Sequence, residues 1–230
     1  MGKSISTWKK RSHIAQRILS KNFFRLIGTV NKLFQPEELF CIKKGYHYAA
    51  SVIDFDDTSN TDEWQKEVYL FAKDILSEKN YQSVIDIGCG SAYKLIHYLS
   101  SYTTTGIEVE STYRWLRQNY PDHEWLQFDK TDPKKLKADL VICSDVIEHV
   151  KDPDLLILFI SAIQSKQIIF STPERTAVAG KTDYGPPENP SHYREWDADE
   201  FKNYISRYFV IEEQRIFSGK SVTQVITCKK

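Results

Sequence analysis

The chain has no excess of either charge. Its 31 Lys and Arg residues balance 31 Asp and Glu, so the protein as a whole has no pull toward nucleic acid or an anionic membrane. It has no apolar run long enough to span a bilayer. No apolar core follows its basic start, as a secretory signal would require. Only four cysteines occur, Cys41, Cys89, Cys143 and Cys228, far apart and without metal-type spacing. They read as reduced thiols, which points to a cytoplasmic setting. Gly2-Lys3-Ser4 lacks the upstream strand and glycine of a phosphate-binding loop. No internal repeat or low-complexity segment appears. What is left is a 230-residue chain with ample material for a core, either one large domain or a domain with an appendage.

Charge is uneven locally. Residues 1–36 carry eight Lys or Arg residues and no acid. Within them Ile14, Ile18, Phe23, Leu26, Ile27, Val30 and Leu33 fall at helical spacing, which predicts an amphipathic helix with a basic face. That helix can serve as a cap on the domain, as a contact for a homo-oligomer, or as a membrane-surface helix. Gln35 to Ser59 has little periodicity and reads as an irregular connection. A second helix is expected to open at Asp62-Glu63-Trp64 and run to Ser77. The expected division is residues 1–80 as an N-terminal helical extension and 81–230 as the main domain.

From residue 83 onward, strand and helix alternate. Strands are expected at 83–88, 104–109, 124–129, 139–144 and 167–172, and helices at 91–101, 111–119 and 152–164. Runs such as Ala138-Asp139-Leu140-Val141-Ile142-Cys143 suit strands buried on both faces. Alternation of this kind means right-handed crossovers and an α/β fold, a doubly wound and mostly parallel sheet. A helix after Asp197 and two strand-like segments, Val210 to Phe217 and Ser221 to Cys228, predict a terminal antiparallel hairpin.

The first alternation carries the chemistry. Val84-Ile85-Asp86-Ile87 breaks into Gly88-Cys89-Gly90 and then a helix. Glycines at such a turn let the backbone bend sharply and let a ligand come close. A third glycine, as a nicotinamide site would have, is missing. Glu108 ends the second strand twenty residues after Gly88, where a carboxylate can accept from both hydroxyls of a ribose. Asp129 ends the third strand, and Asp145 follows the fourth. Singly each acid is a helix cap or a loop acid. Together they place one acid at the carboxyl end of each of four successive strands.

With these residues in hand, the chain resembles a class I S-adenosylmethionine-dependent methyltransferase. The resemblance rests on Asp86-Ile87-Gly88-Cys89-Gly90, Glu108, Asp129 and the stretch from Asp139 to Val150, and it covers roughly residues 80–230. It implies a seven-stranded sheet closed by an antiparallel strand, with S-adenosylmethionine as cofactor. By the same resemblance Asp86, Gly88, Cys89 and Gly90 would line the methionine part, Glu108 the ribose, and Asp129 with Lys130 the adenine. Ser144 and Asp145 would close that side. Ala92 stands where the family often has a third glycine.

The acceptor side is expected from two elements. Asp145, Glu148 and His149 are at i, i+3 and i+4, so they share a face if they begin a helix. His192 follows the fifth strand, within Asn189-Pro190-Ser191-His192-Tyr193-Arg194-Glu195-Trp196, and can reach His149. A hydroxyl acceptor needs its proton removed or its oxygen polarised by a metal. His149 or His192 would be the catalytic base. Alternatively Glu148, His149 and His192, with or without Asp145, would hold a divalent ion such as Mn²⁺ or Mg²⁺. Similar patterns occur in small-RNA 2′-O-methyltransferases and ubiquinone-pathway catechol O-methyltransferases. The loop from Gly185 to Trp196 is similar to methyltransferases of bacterial glycan and natural-product sugar pathways. It nominates Asn189, Tyr193, Arg194 and Trp196 as acceptor-binding residues, Tyr193 and Trp196 by stacking on a sugar ring, and the loop from Glu174 to Asn189 adds Tyr184.

The resulting expectation is methyl transfer to a hydroxyl of a sugar-like or vicinal-diol small molecule or glycan. Two competitors stand beside it: 2′-O-methylation at an RNA terminus, which the balanced charge disfavours, and a non-catalytic cofactor-binding partner subunit.

Overall fold

A computed structural model describes residues 39–53, 56–219 and 222–230. The helix expected between His13 and Leu33 lies outside the described residues. Seven strands form one sheet: β1 Ser83–Ile87, β2 Thr103–Glu108, β3 Glu124–Gln127, β4 Lys137–Ser144, β5 Gln164–Pro173, β6 Val210–Ser218 and β7 Val222–Lys229. Their order across the sheet is β3-β2-β1-β4-β5-β7-β6. Strands β1 to β5 pair in parallel, while β7 runs antiparallel between β5 and β6. The switch point therefore falls between β1 and β4, where a crevice opens at the carboxyl ends.

Among the described residues six α-helices flank the sheet: α1 Lys66–Glu78, α2 Tyr93–Tyr98, α3 Glu110–Asn119, α4 Pro153–Ala162, α5 Arg175–Ala179 and α6 Ala198–Ile205. The starts of α4, α5 and α6 carry side-chain caps. Asp152 caps α4 just before Pro153 at the first helical position. Asp197 and Glu200 cap α6 reciprocally.

The two-residue period of the strands sorts the core into two layers. Ile85, Ile87, Val141, Cys143, Ile168 and Phe170 pack with α4 and α6 on one face. Val84, Leu140, Ile142 and Ile169 pack on the other with Val68, Ala72, Ile75 and Leu76 of α1. Asp86 shares the parity of Val84, so it points to the α1 face. That alternation is what lets Tyr69 of α1 reach it. All four cysteines are buried and unpaired by disulfides.

Three local expectations need correction. Helix α1 begins at Lys66 rather than Asp62, because Gln65 sits in the left-handed region at φ 64° and the residues before it wrap over the glycine turn instead. Strand β3 ends at Gln127, and Asp129 lies in a 3₁₀ turn over Phe128–Lys130. Asp145 to His149 is not a helix start. Asp145 has φ 52°, and a 3₁₀ turn covers Ile147–His149.

Candidate active site

The glycine turn is tight in both required senses. Gly88 and Gly90 have φ of 73° and 55°, where a side chain is strained. A Cβ on Gly88 would collide with Val146, and one on Gly90 with the Asp57 carboxylate. Ala92, at φ 56°, takes the left-handed conformation with an alanine where a glycine would be at ease. Cys89 turns its thiol inward beneath Gly106, whose missing side chain makes room for it and for the Trp125 ring. Burial pushes that thiol well up, so the residue presents its backbone to a ligand.

Four carboxylates surround this turn. Asp86 is fully buried. Its Oδ2 accepts from the Tyr69 hydroxyl at 2.7 Å, and its Oδ1 has no hydrogen-bond partner. Burial raises its carboxyl to about 7. Glu108 accepts from the Gly90 N–H at 2.7 Å and from the Val109 N–H at 2.9 Å. Asp145 is held by the Ser171 hydroxyl at 2.6 Å, and Ser171 also bonds the buried Ser144 hydroxyl at 2.8 Å. The fourth acid, Asp57, lies over Gly90, and burial raises it to about 6.

Asp57 was missed as a site residue, along with Asn60, Trp64 and Gln65. Residues 57–62 form a strap laced to the turn and to α2. Ser91 Oγ donates to the Asn60 carbonyl, Lys94 Nζ to the Thr61 carbonyl at 3.1 Å, and the Tyr98 hydroxyl to Asp62 Oδ1 at 2.6 Å. Their signal was the acidic run ending in Asp56-Asp57-Thr58, read only as a connection.

A cavity of about 900 Å³ joins the two sides of the crevice. Its lining includes Gly88, Glu108, Ser144 and Asp145, and also Glu148, His149, Asn189 and His192. A second cavity of about 380 Å³ shares Gly88, Glu108, Val109 and Val146 with it, and is otherwise walled mostly by apolar residues including Phe128, Val150 and Leu156, with Lys151 and Asp152 beside them. Asp129 and Lys130 are exposed, and Asp129 accepts from Gln127 Nε2 at 2.7 Å. Neither lines either of these two cavities.

Glu148, His149 and His192 offer one ligand atom each within 4.8 Å of one another. Asp145 is not in that group. The two imidazoles meet edge to face, centroids 4.6 Å apart. His149 Nδ1 sits 3.0 Å from the Ser191 carbonyl, which can only accept, so Nδ1 carries the proton and Nε2 the lone pair. Burial, then His192, lowers His149 to about 4. Glu148 is fully buried, and neither carboxylate oxygen has a hydrogen bond of ordinary geometry. Burial first, and then Asp145, raises its carboxyl well above the usual range. A buried carboxyl without a hydrogen bond of ordinary geometry, beside two imidazoles, fits a cation.

The acceptor-loop expectations divide. Asn189 lines the cavity. Trp196 does not. It is fully buried, stacks on Tyr204 at 5.7 Å and donates its indole N–H to the Phe40 carbonyl at 2.9 Å, so no face is left for a sugar. Arg194 is also buried, donating to the carbonyls of Val150 and Lys151 at 2.6 Å each. Tyr184 packs under Lys43 Nζ, 4.2 Å from its centroid, and Tyr193 pairs its N–H with the Glu148 carbonyl at 2.9 Å. Neither tyrosine lines the cavity.

Strand order, glycine turn and the ring of acids define a class I S-adenosylmethionine-dependent methyltransferase fold. Residues 58–215 match the family model described as "Methyltransferase domain", and the chain belongs to that family. No curated protein matches it significantly. Among solved structures, the methyltransferase domain of bacterial CtHen1 is 20% identical, covers 73% of this chain and 100% of its own, and superposes with a TM-score of 0.55. Magnesium protoporphyrin IX methyltransferase from Synechocystis PCC 6803, with bound S-adenosylhomocysteine, is 14% identical over 93% and 99% of the two chains, TM-score 0.56. The N-methyltransferase NodS from Bradyrhizobium japonicum WM9, also with S-adenosylhomocysteine, is 12% identical over 76% and 94%, TM-score 0.53. These likenesses establish the fold and leave the acceptor open. Among the described residues no helix is long and apolar enough to cross a membrane.

Proposed function

We propose that this chain transfers a methyl group from S-adenosylmethionine to a hydroxyl of a vicinal-diol or sugar-like acceptor. The observation that carries it is the cluster of Glu148, His149 and His192 in the same cavity as the glycine turn. Asp86, Gly88, Cys89, Gly90 and Asp57 would hold the methionine end, where the unpartnered Asp86 Oδ1 suits an ammonium. Glu108 would take the ribose, and the apolar cavity at Phe128, Val146 and Leu156 the adenine ring. Bound S-adenosylmethionine supplies an electrophilic methyl on a sulfonium, a leaving group that needs no acid.

The acceptor must lose a proton. A histidine held near 4 is a weak base toward an alcohol, so His149 acts better as a ligand than as a base. A divalent ion, Mn²⁺ or similar, held by Glu148, His149 and His192 would lower the acceptor hydroxyl's pKa. His149 keeps its lone pair on Nε2, while His192 Nε2 would exchange its bond from the Asn189 NH₂ for the ion, and the released NH₂ would orient the acceptor. Two adjacent oxygens on one acceptor suit such an ion by chelation. The same cluster would also serve the ribose diol at an RNA terminus.

Labelled methyl from S-adenosylmethionine, offered with catechol, methyl glucoside or a short single-stranded RNA, tests this with and without Mn²⁺. Expected is label on an oxygen of a diol acceptor. Label on nitrogen overturns the reading. Transfer to the RNA alone, weakening as salt rises, moves the acceptor to the second class.

A further inference from the structure

We propose that Glu195 is the positioning residue of the acceptor side, clamped by Tyr46 and Arg175 so that its carboxylate fixes the His192 ring. This rests on the reading that His192 faces the acceptor.

The tautomer of His192 follows from its neighbours. The Ser191 N–H donates to Asn189 Oδ1 at 3.0 Å, and the Ser191 hydroxyl donates to the same oxygen at 2.7 Å. A backbone N–H can only donate, so the Asn189 oxygen faces Ser191 and its NH₂ faces His192. That NH₂ lies 2.9 Å from His192 Nε2. Nε2 must therefore accept, and Nδ1 carries the proton. Nδ1 is 2.7 Å from Glu195 Oε1. The N–H donates to the carboxylate, both partners are buried, and the Nε2 lone pair accepts from the Asn189 NH₂, the bond that an ion or proton taken up there would replace.

Glu195 has little freedom to move. Its own N–H donates to the Tyr46 hydroxyl at 3.0 Å. Its carbonyl accepts from Arg175 Nη1 at 3.0 Å. Arg175 is 1% exposed, lies 4.9 Å from the Tyr46 ring centroid and donates through Nη2 to Glu200 at 2.8 Å and Asp197 at 3.1 Å. The flanking residues are pinned as well, Arg194 to the Val150 and Lys151 carbonyls and Trp196 to the Phe40 carbonyl. Of this run, Glu195 alone turns a carboxylate to a cavity-lining histidine. A carboxylate behind an imidazole fixes ring orientation and makes the far nitrogen a better donor to a cation or proton. Tyr46 precedes the stretch 58–215 that matches the family. The segment ahead of the matched domain thus takes part in shaping the site.

Proton NMR of the full chain, with nitrogen-15 in the histidines, tests the pair without turnover. Expected is a downfield, exchange-protected His192 Nδ1–H resonance. It should vanish in Glu195→Ala and persist, less downfield, in Glu195→Gln, which keeps an oxygen acceptor. Turnover should fall about ten- to a hundred-fold in Glu195→Ala, recover in part in Glu195→Gln, and leave S-adenosylhomocysteine affinity unchanged. A resonance that survives Glu195→Ala, or full turnover in that variant, overturns the proposal. Should Glu195→Ala not fold, Tyr46→Phe keeps the ring under Arg175 and removes only the acceptor of the Glu195 N–H. Faster exchange of the His192 resonance is then expected, and an unchanged rate overturns the clamp. A chain that transfers no methyl would sink the functional reading and still yield the resonance test.

Discussion

Tyr69 donates its hydroxyl hydrogen to Asp86 across 2.7 Å, and this bond ties helix α1 to the strand that ends in the glycine turn. The other Asp86 oxygen is buried without a partner. The pair makes the crevice sensitive to pH. Asp86 has a folded pKa raised to about 7, against about 4 in an unfolded chain. A raised carboxylate contributes stability that is full below the unfolded value and lost as pH rises to the folded one. The ligand-free protein should therefore melt at a lower temperature above about 7 than near 5, as far as Asp86 is concerned. The ionised form is the one that suits a ligand ammonium. Affinity for S-adenosylmethionine should rise as pH passes through about 7, and Asp86→Asn should flatten that rise. Calorimetric titration across the range checks both.

Gly90→Ala meets two obstacles, a φ of 55° and the Asp57 carboxylate over its missing side chain. A left-handed alanine alone costs about 1–2 kcal/mol. Affinity for S-adenosylhomocysteine should fall by about tenfold or more, since about 1.4 kcal/mol corresponds to tenfold. The measurement is calorimetric titration against wild type.

Trp196 is core, and its substitution should act on stability. Trp196→Ala should cost about 3–5 kcal/mol in denaturant unfolding. Trp196→Phe should cost less and leave the acceptor KM unchanged. Asn189→Ala, on the cavity wall, should do the reverse: little loss of stability and a raised acceptor KM.

Binding of Mn²⁺ should release protons, because burial and Asp145 hold the Glu148 carboxyl high and a cation needs it ionised. Affinity should climb with pH. Glu148→Gln should abolish binding while the fold, read by circular dichroism, survives. Titration calorimetry in buffers of different ionisation heat counts the protons.

Much of this was legible in the sequence. Apolar runs alternating with helices yielded the sheet, and two closely spaced strand-like segments its terminal hairpin. The glycine turn marked the crevice, because a left-handed backbone at Gly88 leaves a residue-level trace. His149 and His192 lie 43 residues apart and their rings meet, since both follow adjacent strands at their carboxyl ends. Trp196 and Arg194 were misread because nothing in a motif tells a ring that stacks on a ligand from one that stacks on Tyr204. Asp57 was missed because its role depends on a strap that carries no periodicity. Its placement comes from tertiary bonds to Ser91 and Lys94. Asp145 and Glu148 were assumed to share a helix face, and the left-handed Asp145 removed that helix.

One measurement bears most directly on the crevice as a methyl-transfer site with cofactor and acceptor at different walls. Wild type and His192→Ala should be compared for methyl transfer to a diol acceptor and for S-adenosylhomocysteine affinity. The expected result is loss of transfer by about a hundredfold or more with affinity for the nucleoside unchanged. Transfer that survives in His192→Ala, or cofactor affinity that falls with it, would contradict the account.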